Sequence, residues 1–350
     1  MTPKARRLWA VLLVGVLALV VRVQAATVLP IDHDEPVTLE ASMAYAAAWR
    51  GEEETSLSGV EVNLEHPGLL KALYGLAMSP LGAERTRIQH LAVGRALSVV
   101  FGVAFVVLVA RLHLGVGLLL AIHGLHAKYS AEMYLETGAG LAAALGVLFW
   151  FRARELPGRW SWLSALCFGV AAASKYVHAI PALVVFGDLL WISRIRRRPR
   201  AEPLLFAAVC IGAFFLLNPQ VWQHPLDSLV ASLSFHPGYA EELQAAGLSR
   251  SPWAYWQHLG YPLVQTWHPG MWTLPVEPIL ALGGLWAFWR GAGRRDPEIR
   301  LVGLWFLCVT VFLLAWPTRW PHHAMGALSP LALGLALELR TPARRRYRGV

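Results

Sequence analysis

Three carboxylates, Asp32, Asp34 and Glu35, stand close together near the start of the chain and are followed by Pro36. Proline suits the first turn of a helix, so the sequence predicts a helix over 37–50 with Glu35 as its cap. The positive end of a helix favours negative charge, and we expect these carboxylates to stay ionised there. Such a carboxylate is a general base, a metal ligand or merely a helix cap or solvated loop residue, and the spacing leaves these alternatives open.

A second polar motif, Glu65-His66-Pro67, also has the pattern of a helix start and precedes an apolar stretch. A Pro-Gly turn before an apolar helix is common, so this motif indicates little by itself. Together with His236 or His322, the Glu-His pair would offer oxygen and nitrogen ligands to a divalent metal, although the spacing matches no known ligand pattern. The sequence therefore requires no cofactor and leaves a metal open.

The elements that must position these residues are strongly apolar. Of the 350 residues, 56% are hydrophobic and only 15% charged, and the mean hydropathy is +0.46. Soluble domains carry about 25% charged residues, so these values exclude a disordered chain, a nucleic-acid-binding module and an ordinary cytosolic enzyme. The net charge of +9 comes from basic clusters between apolar runs, which orient membrane spans and do not indicate a nucleic-acid partner. The three cysteines fall within apolar runs, which excludes a disulfide framework.

The pattern of apolar runs predicts an all-α polytopic membrane protein, with a single membrane-embedded domain over 1–350. About ten transmembrane helices are expected, with juxtamembrane amphipathic helices on the outer face. The runs lie near 8–21, 91–110, 113–127, 137–151, 160–175, 180–192, 203–217, 275–289, 300–316 and 324–338. We interpret 69–81 as an interfacial helix; the alternative makes it a span in place of 113–127. An uncleaved first span is favoured over a cleaved signal peptide ending at Ala25.

The basic residues predict the orientation of these spans. Alternating spans place 21 of the 31 Lys and Arg residues on the inner side together with both termini, so the cytoplasmic (plasma) membrane is the expected location. The outer side then holds two long segments, 27–90 and 218–274, and no soluble domain follows the last span. Span interiors hold few ionisable residues, which argues against an ion-coupled transporter. We therefore expect the polar chemistry at the extracytoplasmic surface.

Several short motifs follow one another along this topology. They are Asp34-Glu35, Tyr45, Trp49-Arg50-Gly51, His66-Pro67, Arg95-Ala96-Leu97-Ser98, Ser174-Lys175-Tyr176, Asn218-Pro219-Gln220-Val221-Trp222 and the stretch from Pro317 to His323. In this order they resemble the motifs of glycosyltransferase C membrane enzymes, in the branch that contains protein O-mannosyltransferases and bacterial aminoarabinose transferases. The resemblance covers most of the chain. It departs from the family pattern at Gly68, where a second proline is usual, and 350 residues is short for the family.

The resemblance implies a membrane enzyme that moves a sugar from a polyprenyl-phosphate donor to a hydroxyl, with inversion at the anomeric carbon. It implies Asp34 as the catalytic base with Glu35 as its neighbour. Tyr45, Glu65 and His66 would then be further site residues of the first outer segment. The acceptor would be a glycan, a lipid or a protein, and the sugar a hexose or a pentose.

Cations at outer span ends are expected to hold the departing phosphate. Lys175, Arg319 and Lys128 are best placed for this, although each has the alternative role of an interfacial anchor. Two other functions stay open: a transporter or flippase of lipid-linked sugars, and an inactive scaffold of the same fold. The acidic pair after the first span favours the enzyme, because a flippase needs no base there.

Overall fold

Helices make up most of the described part of the chain. The computed structural model describes residues 1–52, 56–156, 158–195, 201–246, 251, 259, 267–316, 318 and 320–340. In these ranges the α-helices are α1 Pro3–Val28, α2 Glu35–Arg50, α3 Leu69–Met78, α4 Arg87–Leu112, α5 Leu114–Ala121, α6 Gly124–Ala131, α7 Glu136–Glu155, α8 Arg159–Ser174, α9 Ile180–Ile195, α10 Ala201–Leu217, α11 Pro225–Ala245, α12 Glu277–Arg294, α13 Pro297–Ala315 and α14 Met325–Leu339. The predicted all-α class is confirmed.

Nine of the ten predicted apolar runs each correspond to one of these helices. Four helical segments in the described ranges are long and apolar enough to cross a membrane: α1, α4, Tyr176–Ile195 and α13. Helices α6 and α7, bent by 112° at the break between them, would make a fifth if they were counted together. The other runs form shorter helices, so the number of ten spans stays a prediction.

The tenth run, 113–127, was wrongly predicted as one span. It is divided at Ile122 and His123 into α5 and α6, each of eight residues and therefore only about 12 Å long. The break is held from outside the run. The buried carboxylate of Glu277 on α12 accepts hydrogen bonds from the backbone N–H groups of Gly124, at 2.8 Å, and Leu125, at 3.3 Å. These bonds satisfy the free N–H groups at the start of α6.

Arg22, in the last third of the apolar helix α1, stabilises the other side of the same break. Its side chain is fully buried, and its guanidinium donates to the carbonyl groups of Leu120, at 3.3 Å, and Ala121, at 3.0 Å. It also lies 2.5 Å from the Nδ1 atom of His126. The last carbonyl groups of α5 lack partners within their own helix, so a cation is stabilising there. Neither this arginine nor Glu277 was predicted to have a role.

The predicted helix over 37–50 is confirmed as α2, which begins two residues earlier. Residues 69–81 form α3 and a 3-10 turn, and α3 packs against α2; its position in a membrane interface is untested. The two helices approach closely at Gly75, where a Cβ atom would lie 2.6 Å from the carbonyl oxygen of Ser42. Glycine is therefore required for this contact. The larger core holds Trp150 of α7 and Trp305 of α13, both buried.

Candidate active site

One end of the helical bundle contains a cavity of about 300 Å³. It is lined by Leu29, Pro30, Ile31, Asp32, His33, Asp34, Lys128, Tyr129, Glu132, Tyr134, Trp267, Trp320, Pro321 and His322. The segment between α1 and α2, the region of α6, and the turn before α14 supply most of this lining. Residues distant in sequence thus meet around the segment that carries Asp32 and Asp34.

Asp34 is the residue that precedes α2, and its side chain makes no capping hydrogen bond. Its carboxylate opens into the cavity with 40% of the side chain exposed, and Oδ2 lies 3.5 Å from Nδ1 of His322. Protein surrounds the recess, so burial raises the pKa of Asp34 to about 6, partly offset by the charge of Lys175 and reinforced by that of Glu136. With a pKa of about 6 this carboxylate is still mostly ionised at neutral pH, as expected, but burial makes it easier to protonate than an exposed aspartate.

Glu35 has a different environment from its neighbour. It is the first residue of α2 and not the cap, and its side chain is fully buried outside the cavity lining. Its carboxylate accepts two hydrogen bonds from the guanidinium of Arg95 and one from the backbone N–H of Met133, at 2.8 Å. The backbone N–H of Asp32 adds a fourth, at 3.1 Å. With these partners Glu35 fixes the loop that carries Asp34. Of the two predicted carboxylates, Asp34 is therefore exposed to the cavity and Glu35 has a structural role.

Lys128 lies in the cavity wall, but its charge is offset. Its ammonium group contacts Asp32 and donates to both oxygens of Glu132, at 2.8 and 2.6 Å. Although burial alone would raise the pKa of Asp32, this lysine holds it below its usual value. Lys128 therefore organises two carboxylates of the lining, and as a phosphate ligand it would have to leave them.

Lys175 follows α8 and contacts the buried carboxylate of Glu136, the first residue of α7. It lines a second, smaller cavity of about 30 Å³. The other lining residues are His66, Tyr176, Val177, His236, Phe312, Leu313, Trp316 and His323. The rings of His322 and His323, with centroids 4.3 Å apart, lie at the junction of the two cavities.

The predicted metal ligands do not converge. His66 faces His236 with ring centroids 5.6 Å apart. The Glu65 carboxylate, however, accepts a hydrogen bond from Asn63. His322 lines the larger cavity. In the ranges that the structure covers, no three His, Cys, Asp or Glu side chains are arranged to hold a metal ion. These residues do not fit a divalent metal site. Burial lowers the pKa of His66 well below its usual value, so its ring is neutral beside Lys175.

Tyr45 is buried beneath the His-Pro-Gly turn and does not reach either cavity. A Cβ atom at Gly68 would lie 2.7 Å from the Tyr45 hydroxyl oxygen, and the N–H of Gly68 donates to Oδ1 of Asn218 at 2.7 Å. A proline at this position would collide with the tyrosine and lose the hydrogen bond. The departure from the family pattern at Gly68 therefore has a local packing cause.

Arg319, the third predicted phosphate ligand, lies outside the described residues. So do 53–55 of the first outer segment, residues 247–250, 252–258 and 260–266 of the second, and the basic residues within 196–200 and 341–350.

Two functional features of the site were not predicted from the sequence. Arg95 was noted only as part of a motif, and its ion pair with Glu35 was not predicted. The signal for it is an arginine in an apolar helix, which needs a counter-charge, together with the acidic pair after the first span. Glu136 was not noted, although a carboxylate at the start of an apolar helix is itself a signal of a functional group. Its Oε1 atom lies 3.7 Å from Nε2 of His322.

Comparisons with known proteins bear on the fold. No protein-family model matches the chain, and no curated protein matches it. The crystal structure of ArnT from Cupriavidus metallidurans bound to undecaprenyl phosphate matches with a TM-score of 0.63 and 14% identity, covering 99% of this chain and 62% of that one. The apo oligosaccharyltransferase of Archaeoglobus fulgidus matches with a TM-score of 0.61 and 15% identity, covering 99% of this chain and 52% of that one.

The chain thus spans less than two thirds of the length of either solved structure. Both are glycosyltransferase C enzymes, the group whose motifs the sequence resembles. At such low identity the likeness concerns the fold and not the activity. The chain has the helical membrane-protein fold of the glycosyltransferase C enzymes.

Proposed function

We propose that the protein is a membrane glycosyltransferase that moves a sugar from a polyprenyl-phosphate donor to a hydroxyl acceptor on the extracytoplasmic side. The observation that carries the proposal is the position of Asp34. It presents a carboxylate to a cavity of about 300 Å³, next to a second cavity that holds Lys175 and several imidazoles. A base for the acceptor and a cation for the leaving group are thereby adjacent.

Asp34 is suited to be the base among the carboxylates of the larger cavity. Asp32 and Glu132 share Lys128, whereas within the described ranges Asp34 makes no ion pair with a lysine or arginine. Burial raises the pKa of Asp34 to about 6, close to the pH at which a general base works most efficiently. The acceptor hydroxyl would lie in this cavity and give its proton to Asp34.

The smaller cavity suits the phosphate of the donor. Lys175 supplies a positive charge, and the Nδ1 atom of His236 is buried without a hydrogen-bond partner in the described part of the chain. A buried polar atom that lacks a partner is costly, and a phosphate oxygen would satisfy it if that nitrogen carries the proton. His236 belongs to α11, so this helix would lie beside the phosphate of the donor.

Apolar surface leads to the same cavity. Phe312, Leu313 and Trp316 form its wall, and exposed Leu304, Leu307 and Val311 continue along α13. Such a helix face would accommodate a polyprenyl chain within the bilayer. Attack from the larger cavity, on the side of the anomeric carbon away from the phosphate, would invert that carbon.

Two further observations support the donor class and the sidedness. One matching structure is ArnT bound to undecaprenyl phosphate, and another is an oligosaccharyltransferase tethered to an acceptor peptide, at a TM-score of 0.58 and 15% identity. The basic residues Arg7, Arg111 and Arg294 lie at the helix ends opposite Asp34, which supports an extracytoplasmic site.

The test is incubation of the purified protein in detergent with a panel of polyprenyl-phosphate sugars and hydroxyl acceptors, with release of free lipid phosphate as the readout. At least one donor should be consumed, with equal amounts of glycosylated acceptor and lipid phosphate formed. Movement of intact donor across a vesicle membrane without any release would instead favour the flippase. Binding without turnover or movement would favour the inactive scaffold.

A further inference from the structure

His322 lies between two carboxylates that belong to different cavities. Its Nδ1 atom is 3.5 Å from Oδ2 of Asp34, and its Nε2 atom is 3.7 Å from Oε1 of Glu136. The side chains of His322 and Glu136 are 4% and 1% exposed, so water is largely excluded between them. The same Glu136 oxygen contacts Lys175 in the donor cavity. The three side chains therefore connect the acceptor side to the cation of the donor side.

The surroundings of the imidazole determine its charge. Tyr129 and Tyr134 pack on it with ring centroids 5.9 and 5.1 Å away. The charged and titratable groups that face it are Asp34 from the start of α2, Glu136 from α7, Lys175 from the end of α8, Lys128 from α6, His66 from the loop before α3, and His323 from its own turn. Burial, reinforced by His323 and Lys175, lowers the pKa of His322 well below its usual value. The ring is neutral at rest and carries one proton.

We propose that His322 is a proton relay that carries the acceptor's proton from Asp34 to Glu136 and thereby frees Lys175 for the leaving phosphate. The proposal rests on the proposed function. In the resting state Nε2 carries the proton and points towards Glu136, while the lone pair of Nδ1 faces ionised Asp34. Both separations, 3.5 Å to Asp34 and 3.7 Å to Glu136, are longer than an ordinary hydrogen bond. Catalytic hydrogen bonds are often long in the free enzyme and tighten with substrate bound.

The transfer balances as follows. The acceptor O–H bond breaks, its proton moves to Asp34, and the oxygen forms a bond to the anomeric carbon. The bond between that carbon and the phosphate oxygen breaks, and its electron pair leaves with the lipid phosphate. Asp34 gives the proton to Nδ1 as Nε2 gives its own to Glu136, so no imidazolium accumulates. Glu136 finally passes the proton to the lipid phosphate and is again ionised. His322 is then left with its proton on Nδ1, and the resting tautomer is restored when Nδ1 loses that proton to solvent through the larger cavity and Nε2 takes one up.

The relay would link the two halves of the reaction electrostatically. While Glu136 is ionised it neutralises Lys175; once protonated it no longer does, and the positive charge becomes available to the phosphate as that group gains negative charge. The Oε2 atom of Glu136 is buried and has no hydrogen-bond partner in the described part of the chain. The oxygen that faces His322 and Lys175 is the other one, Oε1, so Oε2 has room for a hydrogen-bond donor without disturbing either contact.

The first test compares His322→Gln and His322→Asn with wild type in the assay for lipid-phosphate release. Both variants keep a polar side chain but cannot exchange protons, so kcat should fall roughly 10²-fold, at the lower end of what a positioned proton-transfer group contributes. KM for the donor should stay unchanged. Added imidazole should restore part of the rate in His322→Ala, with the pH dependence of free imidazole. His224→Gln, on an exposed histidine before α11, is the matched control and should behave as wild type.

The second test uses wild type alone, so it does not depend on the folding of a variant. A relay that moves two protons in one step predicts that the rate in mixtures of light and heavy water varies as a curve with the deuterium fraction. A straight line, or normal turnover in His322→Gln, would overturn the relay while the glycosyltransferase stands. If wild type consumes no donor in the panel, the proposed function itself fails.

Discussion

Arg95 holds Glu35 through two hydrogen bonds, from Nε to Oε1 at 2.8 Å and from Nη2 to Oε2 at 2.5 Å. The same guanidinium donates to the carbonyl groups of Ala26, Leu29 and Pro30, at 2.8 to 3.0 Å. One side chain of α4 thus fixes the end of α1 and the start of α2. The loop between these helices, which carries Asp34, is anchored at both ends.

Substituting Glu35 should therefore affect folding before it affects chemistry. Glu35→Gln leaves a buried arginine without its counter-charge, and breaking such a pair typically costs about 3–5 kcal/mol. We expect a lower midpoint of thermal unfolding in detergent, measured by the fraction that remains monodisperse on size exclusion. Glu40→Gln, on the exposed side of the same helix, should leave the midpoint unchanged. An unchanged midpoint for Glu35→Gln would contradict the anchoring role.

Asp34→Asn should instead reduce turnover while the fold is retained. The Asp34 side chain makes no capping hydrogen bond, and asparagine is as good at this position, so the fold should be retained. The amide cannot accept the acceptor's proton, and turnover should fall by roughly 10²–10⁴ while donor binding persists. Lipid-phosphate release and a donor-binding assay, again with Glu40→Gln as control, separate the two effects. Turnover near that of wild type would show that another carboxylate is the base.

The raised pKa of Asp34 gives a pH dependence to both activity and stability. Below about pH 6 the base becomes protonated, so kcat/KM should fall about tenfold per unit of pH. In the unfolded chain the pKa is about 4, so the folded state holds this proton to a higher pH. Ionisation therefore costs stability, and the cost develops as the pH rises from about 4 to about 6.

Because asparagine does not ionise, Asp34→Asn should unfold at a higher temperature than wild type at pH 7–8. The difference should vanish near pH 4. A wild type whose activity is flat from pH 7 to pH 5 would contradict the raised pKa.

Gly68 and Tyr45 allow a test of the turn below the smaller cavity. Gly68→Ala should destabilise the protein, because its Cβ atom would lie 2.7 Å from the Tyr45 hydroxyl. The buried hydroxyl has no hydrogen-bond partner in the described part of the chain, so Tyr45→Phe alone should be neutral or stabilising. The double variant should regain most of the loss, as measured by thermal unfolding. Additive effects of the two substitutions would refute this contact.

The orientation in the membrane can be tested with two glycines whose Cβ positions are open, Gly238 on α11 and Gly293 on α12. In a background without native cysteines, Gly238→Cys should react with an impermeant thiol reagent in intact cells. Gly293→Cys should react only after the cells are permeabilised, because it lies among the basic residues of a predicted inner loop. The reverse labelling would invert the predicted membrane topology and place Asp34 on the inner side.

The apolar runs and the basic clusters between them were sufficient to predict the helical class. Nine of the ten runs each correspond to one helix. The failure at 113–127 has a physical cause. That run is uniformly apolar, and the groups that break it, Arg22 and Glu277, lie about a hundred residues before it and 150 after it. Periodicity within a window contains no signal of such distant partners.

The candidate site was predictable to the extent that its residues lie near helix ends. Asp34, Lys128 and Lys175 all reach the cavities. The contacts of Asp34 with His322 and of Lys175 with Glu136 were not predictable, because these partners lie far away in the sequence. The pair of Lys128 with Glu132, by contrast, lies within one helical turn. The different environments of Asp34 and Glu35 likewise depend on Arg95. The sequence motif does not show that this arginine pairs with Glu35.

The buried contacts of Arg22 also impose an order on biosynthesis. The carbonyl groups and the imidazole that receive its guanidinium belong to residues about a hundred positions later in the chain. At ~5–20 residues per second, the ribosome needs on the order of 5–20 s to deliver them. During that interval the first helix carries an uncompensated charge that disfavours release into lipid. The nascent helix would therefore stay beside the insertion machinery until its partners emerge, and the bundle would assemble around its own first segment.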